Sequence, residues 1–197
     1  MIKPYKISVP KSTLNNIYKK VRAYPWKMMQ NVNGWEYGTN YNYLKKISKY
    51  WVSKYNWKKF ENKINSFKNY KTNVDGINLH FIIEKSKNPK SRPLLLLHGW
   101  PGSVIEFFDI IPRLAHPEQF GGKIEDGFDV IVPSLPGFGF STPIKKALGP
   151  RRIGKILNKF MVKNLGHKNY IVQGGDWGAT IAAWIGLDSA KNCKGIH

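Results

Sequence analysis

At 197 residues the chain is long enough for one domain with a sizeable core, and its 42% hydrophobic content is that of a globular protein rather than a disordered one. A single cysteine, Cys193, excludes an internal disulfide framework, and without an apolar run of roughly 18 residues no transmembrane helix or signal-peptide core is expected. The formal charge of +20 is uneven: residues 1–92 carry 20 Lys or Arg against 4 Asp or Glu, residues 93–197 carry 12 against 8. The N-terminal lysines are dispersed among Asn, Tyr and Trp, which reads as a solvated face, with association to an anionic membrane surface as the alternative. No zinc finger, RNA-recognition signature or basic zipper points to a specific nucleic-acid partner.

From Ser12 to Val21 the apolar Leu14, Ile17, Tyr18 and Val21 share one helical face, with Ser12 or Thr13 available as N-cap. A second helix is predicted from Tyr43 to Tyr55, and a third groups Trp57, Phe60 and Ile64. Trp26, Trp35, Trp51 and Trp57 are read as packing residues without chemistry. The pattern then changes to Tyr70–Val74, the pair Asp75-Gly76, and Ile77–Ile83, a β-hairpin. Leu94-Leu95-Leu96-Leu97 is an apolar run without alternation, as in a parallel strand buried on both faces. A helix over Ser103–Leu114, a strand over Phe128–Val132, a helix over Arg151–Leu165 and a strand over Tyr170–Val172 follow. Alternating strands and helices imply a doubly wound α/β sheet, residues 69–197, preceded by a helical region, residues 1–68.

The last strand runs into Gln173-Gly174-Gly175-Asp176-Trp177-Gly178-Ala179, and a helix-period segment leaves it. Small residues at Gly174 and Gly178 suit a tight strand-to-helix turn that displays its middle residue. Asp at that position is a nucleophile that needs no base to deprotonate it, and its attack on an sp³ carbon gives an alkyl ester. Epoxide opening and dehalogenation fit this chemistry. A plainer reading makes Asp176 the N-cap of its own helix.

After the leucine strand comes His98-Gly99-Trp100-Pro101-Gly102-Ser103. Ligands of open α/β sheets lie outside the carboxyl ends of strands, where this loop and Asp176 should both fall. The backbone amides of Trp100 and Trp177 are the expected oxyanion donors; Pro101 has no N–H to offer. His98 is expected to brace the loop through the backbone, and Ser103 to cap the next helix. A third loop, Pro136-Gly137-Phe138-Gly139-Phe140-Ser141, does not open into a helix as a phosphate cradle would, and is expected to carry its phenylalanines toward the site rim. No metal site is expected, since paired cysteines and H-E-x-x-H are both missing.

With these three loops in chain order, the sequence resembles an epoxide hydrolase of the α/β-hydrolase superfamily. Its Tyr- and Trp-rich N-terminal helices resemble the microsomal branch that includes the juvenile hormone epoxide hydrolases. The resemblance implies an incomplete α/β-hydrolase fold, Asp176 as nucleophile, and a pocket lined by Trp100 and Trp177. His98, Gly99, Pro101, Gly102, Gly174, Gly175 and Gly178 would support the loops. It also implies a small-molecule epoxide and water as substrates, no metal or organic cofactor, and a microsomal or endoplasmic-reticulum setting, with a cytoplasmic one as the alternative because no anchor or signal peptide is expected in this sequence. A haloalkane dehalogenase and a non-catalytic, basic, membrane-binding remnant are the alternatives. The family's lid, late acid and late histidine have no counterpart here, His197 falling at a strand start. The chain is therefore expected to be a fragment, inactive or limited to one turnover alone, with the apolar Ile181, Trp184 and Ile185 short of partners.

Overall fold

The computed structural model describes residues 1–30 and 34–197. The chain divides into two compact units, one of Ile7–Ile64 and one of Met1–Lys6 with Asn65–His197.

The smaller unit is built on helices α1 (Lys11–Arg22), α2 (Tyr41–Ser53) and α3 (Trp57–Asn65). The predicted Ser12 or Thr13 cap is not used: the residue before α1 is Pro10, whose fixed φ suits a helix start without a side-chain bond. Helix α2 begins two residues earlier than its apolar stripe suggests, because the Asn40 side chain accepts the Tyr43 N–H at 3.0 Å. Glu61 is buried and accepts the Val9 N–H and the Trp57 Nε1–H, so a carboxylate ties the entry of α1 to α3. Contrary to the packing role expected of every tryptophan, Trp35 and Trp51 are exposed. Trp51 lines an apolar trough of about 460 Å³ with Leu14, Ile17, Tyr18, Ile47 and Tyr50.

The larger unit holds, among the described residues, one seven-stranded sheet ordered β1-β2-β3-β5-β4-β6-β7. Its strands are β1 (Lys3–Pro4), β2 (Asn69–Val74), β3 (Ile77–Glu84), β4 (Arg92–Leu97), β5 (Phe128–Pro133), β6 (Tyr170–Gly174) and β7 (Cys193–Ile196). Strand β1, which no sequence pattern marks, adds antiparallel to β2. The β2–β3 turn has Asp75 at φ 52° and Gly76 at φ 83°, the left-handed pair a two-residue hairpin requires. Strands β5, β4, β6 and β7 run parallel, and the leucines of β4 are buried in their midst.

Two predicted helices are interrupted. The segment after Ser103 is a short 3-10 turn, Val104–Phe107, followed by α4 (Ile111–Ala115). Pro112 lacks the N–H an interior helical residue would donate and is tolerated only in a first turn, so the helix restarts there. Helix α5 (Pro150–Lys159) passes into a π turn over Phe160–Asn164. Helix α6 (Trp177–Asp188) packs on α5, burying Ile181 and Ile185, while the Arg151 guanidinium lies 4.6 Å from the Trp184 ring. The expectation that this face lacks partners is thus corrected; α5 supplies them, with Gly154 leaving room for Ile185.

Candidate active site

Parallel pairing sets the site. Leu96 lies opposite Gln173 and Leu97 opposite Gly174, so β4 and β6 end side by side and deliver the loops that follow to one place. Asp176 stands between β6 and α6 at φ 52°, ψ −121°, a backbone conformation that costs a non-glycine residue about 1–3 kcal/mol. The turn is this tight because β6 and α6 touch at their glycines. A Cβ on Gly174 would overlap the Gly178 carbonyl, and one on Gly178 would overlap the Leu97 carbonyl at the end of β4. Gly175 meets open space instead, its N–H directed to Leu97 O at 3.4 Å.

The Asp176 side chain does not cap α6, which sets aside the plainer reading of this residue. It reaches across to the first loop, where the Trp100 N–H donates to Asp176 Oδ1 at 2.8 Å. The Trp100 amide, followed by that of Trp177, holds the Asp176 carboxyl below its usual range, although the group is exposed. Gly99 makes this approach possible, since a Cβ there would collide with Cβ and Oδ1 of Asp176. Pro101, in cis linkage to Trp100, has no N–H in play, and Gly102 backs onto the Glu106 carboxylate and Gly99 O. Glu106 accepts the Ser103 N–H at 3.1 Å and completes a capping box with Ser103.

His98 is buried, and both ring nitrogens are committed to backbone. The Leu135 N–H donates to Nε2 at 3.0 Å, which makes Nε2 the acceptor and Nδ1 the protonated nitrogen that donates to Gly99 O at 3.0 Å. Burial lowers its pKa against the opposing pull of the Gly99 carbonyl and Glu106, so the ring is neutral. The third loop differs from expectation. Phe138 and Phe140 are half-buried, with Phe138 edge-on to His98 at 5.4 Å and Phe140 edge-on to His80 at 5.1 Å. They pack around buried histidines, and neither lines the pocket beside Asp176.

A buried polar cluster under that loop was not legible in the motifs. His80 is fully buried: its Nδ1 accepts the Ser134 hydroxyl at 2.9 Å and its Nε2 donates to Asn69 Oδ1 at 3.0 Å, since Asn69 Nδ2 is spent on Phe67 O. The His80 backbone N–H donates to Ser141 Oγ, whose hydroxyl donates to Ser134 O at 2.7 Å. Only the serine ending Gly137-x-Gly139-x-Ser141 hinted at it.

Beside Asp176, a pocket of about 310 Å³ is lined by Pro150, Trp177 and Thr180. Trp177 thus lines the site, whereas Trp100, 67% exposed, contributes its amide. Among the described residues, no group of three or more His, Cys, Asp or Glu is placed to hold a metal ion. The arrangement presents an anionic, deprotonated carboxylate, oriented by the Trp100 N–H, to a small pocket. Such a group can attack an electrophilic carbon, and its donor can stabilise charge on an acyl oxygen.

Residues 2–107 match the family model described as epoxide hydrolase N terminus, and residues 92–197 match the alpha/beta hydrolase fold model. The whole chain aligns with a Stigmatella aurantiaca protein whose name assigns it provisionally to the epoxide hydrolases, at 42% identity over 44% of that protein. It aligns with epoxide hydrolase 1 of Oryctolagus cuniculus and juvenile hormone epoxide hydrolase 1 of Ctenocephalides felis, both at 36% identity, over 44% and 42% of those proteins. Among solved structures, the juvenile hormone epoxide hydrolase of Bombyx mori superposes on the whole chain with a TM-score of 0.86 at 33% identity, 47% of that chain being covered. The Aspergillus niger epoxide hydrolase does so with a TM-score of 0.85 at 30% identity, over 51% of its chain. The chain thus spans less than half the length of the curated relatives described here.

Proposed function

Because this chain belongs to the epoxide hydrolase family on the α/β-hydrolase fold, we propose that its site opens small-molecule epoxides with Asp176 as nucleophile and with water as second substrate, giving a vicinal diol. The observation that supports this most is the 2.8 Å hydrogen bond from the Trp100 N–H to Asp176 Oδ1, made at a strained elbow. A carboxylate oxygen attacks one oxirane carbon; that carbon's bond to the ring oxygen breaks, and the electron pair leaves on oxygen, which is then protonated. The product is an alkyl ester of Asp176. Water adds to the ester carbonyl carbon, and negative charge grows on the carbonyl oxygen before collapse releases the diol and restores the carboxylate. With Oδ1 as that oxygen, the Trp100 amide already stands where the charge develops.

The group that holds Asp176 is the Trp100 N–H, a donor that cannot take a proton from water. Hydrolysis without a general base is slower by about 10²–10⁴-fold, so in this 197-residue chain the ester is expected to accumulate. Intact-protein mass spectrometry after exposure to styrene oxide tests this. The wild-type chain should gain one adduct that maps to Asp176 and is absent from Asp176→Ala; the same adduct on both chains would remove the nucleophile assignment.

A second reading concerns the Ile7–Ile64 unit. It carries 12 Lys or Arg against 2 Asp or Glu and exposes the trough of Trp51, Tyr50 and Ile47, a cationic and aromatic combination suited to an anionic leaflet such as that of the endoplasmic reticulum. No helix among the described residues is long and apolar enough to cross a membrane.

A further inference from the structure

We infer that His98 and His80 form a positioning pair that aims the Trp100 amide at Asp176, an inference that rests on the nucleophile reading for its kinetic consequence but not for its geometry. The bonds run without a gap. His80 Nδ1 accepts from Ser134 Oγ at 2.9 Å, and the Ser134 N–H donates back to His80 O at 2.9 Å. Ser141 closes the loop onto the same place by accepting from the His80 N–H and donating to Ser134 O. The residue after Ser134 is Leu135, whose N–H donates to His98 Nε2 at 3.0 Å; His98 Nδ1–H donates in turn to Gly99 O, and the next amide, that of Trp100, donates to Asp176 Oδ1.

Three features make this a positioning device and not merely a filled core. The network is directional, because each ring nitrogen has one role fixed by its partner: a histidine protonated at Nε2 would face the Leu135 N–H with a second donor and leave Gly99 O without one. It is shut off from bulk solvent, with His80, His98, Ser134 and Ser141 each no more than 1% exposed, so outside water cannot replace a lost bond without opening the packing. It also ends on an atom that tolerates little displacement. Gly99 lies against Asp176 so closely that even a methyl group does not fit, and a shift of its carbonyl carries the Trp100 N–H with it. The ring nitrogens of His98 and His80 bond Gly99, Leu135, Ser134 and Asn69, and neither residue lines the pocket beside Asp176, so the pair acts through the amide.

Paired substitutions separate the two ring nitrogens. Asparagine places an amide donor near the Nδ1 position, and glutamine places its amide group near the Nε2 position. His98→Asn can keep the bond to Gly99 O, and His98→Gln can keep only the bond from Leu135. The readouts are the Asp176 carboxyl pKa, followed by carbon NMR on protein labelled at aspartate, and the rate of adduct formation with styrene oxide. In His98→Gln the Asp176 pKa should rise toward the ordinary value and, because the carboxylate loses its fixed aim at the oxirane carbon, the adduct rate should fall about tenfold or more, while His98→Asn stays within about threefold of wild type. Ser134→Ala, remote from the first loop, should shift both readouts in the same direction as His98→Gln but less. Thermal unfolding of each variant separates loss of fold from loss of aim. A merely structural role predicts lower melting temperatures with the Asp176 pKa unmoved in every folded variant, and that result overturns the inference. If styrene oxide labels no chain at Asp176 the nucleophile reading fails, yet the pKa comparison still decides the positioning pair. If His98→Gln does not fold, Ser134→Ala alone decides it: an unmoved Asp176 pKa in folded Ser134→Ala overturns the inference.

Discussion

His80 is the residue whose chemistry departs furthest from its free form: burial, with Lys71 adding in the same direction, lowers its pKa from 6.5 to about 3. In the unfolded chain the same imidazole titrates near 6.5, so between that pH and about 3 the unfolded state binds a proton that the folded state refuses. Stability is therefore full above the unfolded pKa and falls as pH drops below it. His80 alone should remove about 2 kcal/mol between pH 7 and pH 5, and His98 and His167, both lowered by burial, act in the same sense. Urea unfolding at the two pH values should show this loss, and His80→Asn should flatten it; an equally steep loss in the variant would contradict the assignment. Asp176, by contrast, was legible in the sequence, because the spacing of Gly174 and Gly178 around it is a local steric requirement. The partners of His80 lie 11, 54 and 61 residues away, and no local pattern announces them.

At the scale of elements, the elbow works because β6, α6 and β4 approach to backbone contact. Gly178 meets the Leu97 carbonyl, a backbone atom that cannot move aside as a flexible side chain would, whereas Gly175 has open space and lies outside the left-handed region. Gly178→Ala should therefore cost about 2 kcal/mol or more, and Gly175→Ala should stay within about 0.5 kcal/mol of wild type. Equal effects in denaturant unfolding would show that the close approach is not the reason for the glycine. The sequence groups Gly174, Gly175 and Gly178 together; only the packing tells them apart. The Asp75-Gly76 hairpin and the leucine strand were readable because their signals are local. The break at Pro112 has a local cause too, the proline's missing N–H, whereas the strand Lys3–Pro4 exists only through its pairing with β2.

For the molecule as a whole, charge is the property composition sets most plainly. With +20 spread toward the N-terminal half, and Trp51 in an exposed trough among those lysines, the chain should cosediment with vesicles rich in phosphatidylserine. Binding should fade as salt approaches about 0.5 M, where screening is severe, and weaken in Trp51→Ala. Sedimentation that ignores both salt and Trp51 would show that the trough serves another purpose. The sequence by itself determined the fold class, the parallel strands, the Asp elbow and the glycine-held loop opposite it, since each rests on periodicity, turn chemistry or steric exclusion within a few residues. The tertiary structure decided which amide meets Asp176, which phenylalanines turn inward, which glycines are indispensable, and that a buried histidine cluster underlies the site. Those outcomes depend on β4 and β6 ending in register and on hydrogen bonds across more than fifty residues, which chain order alone does not encode in any short stretch.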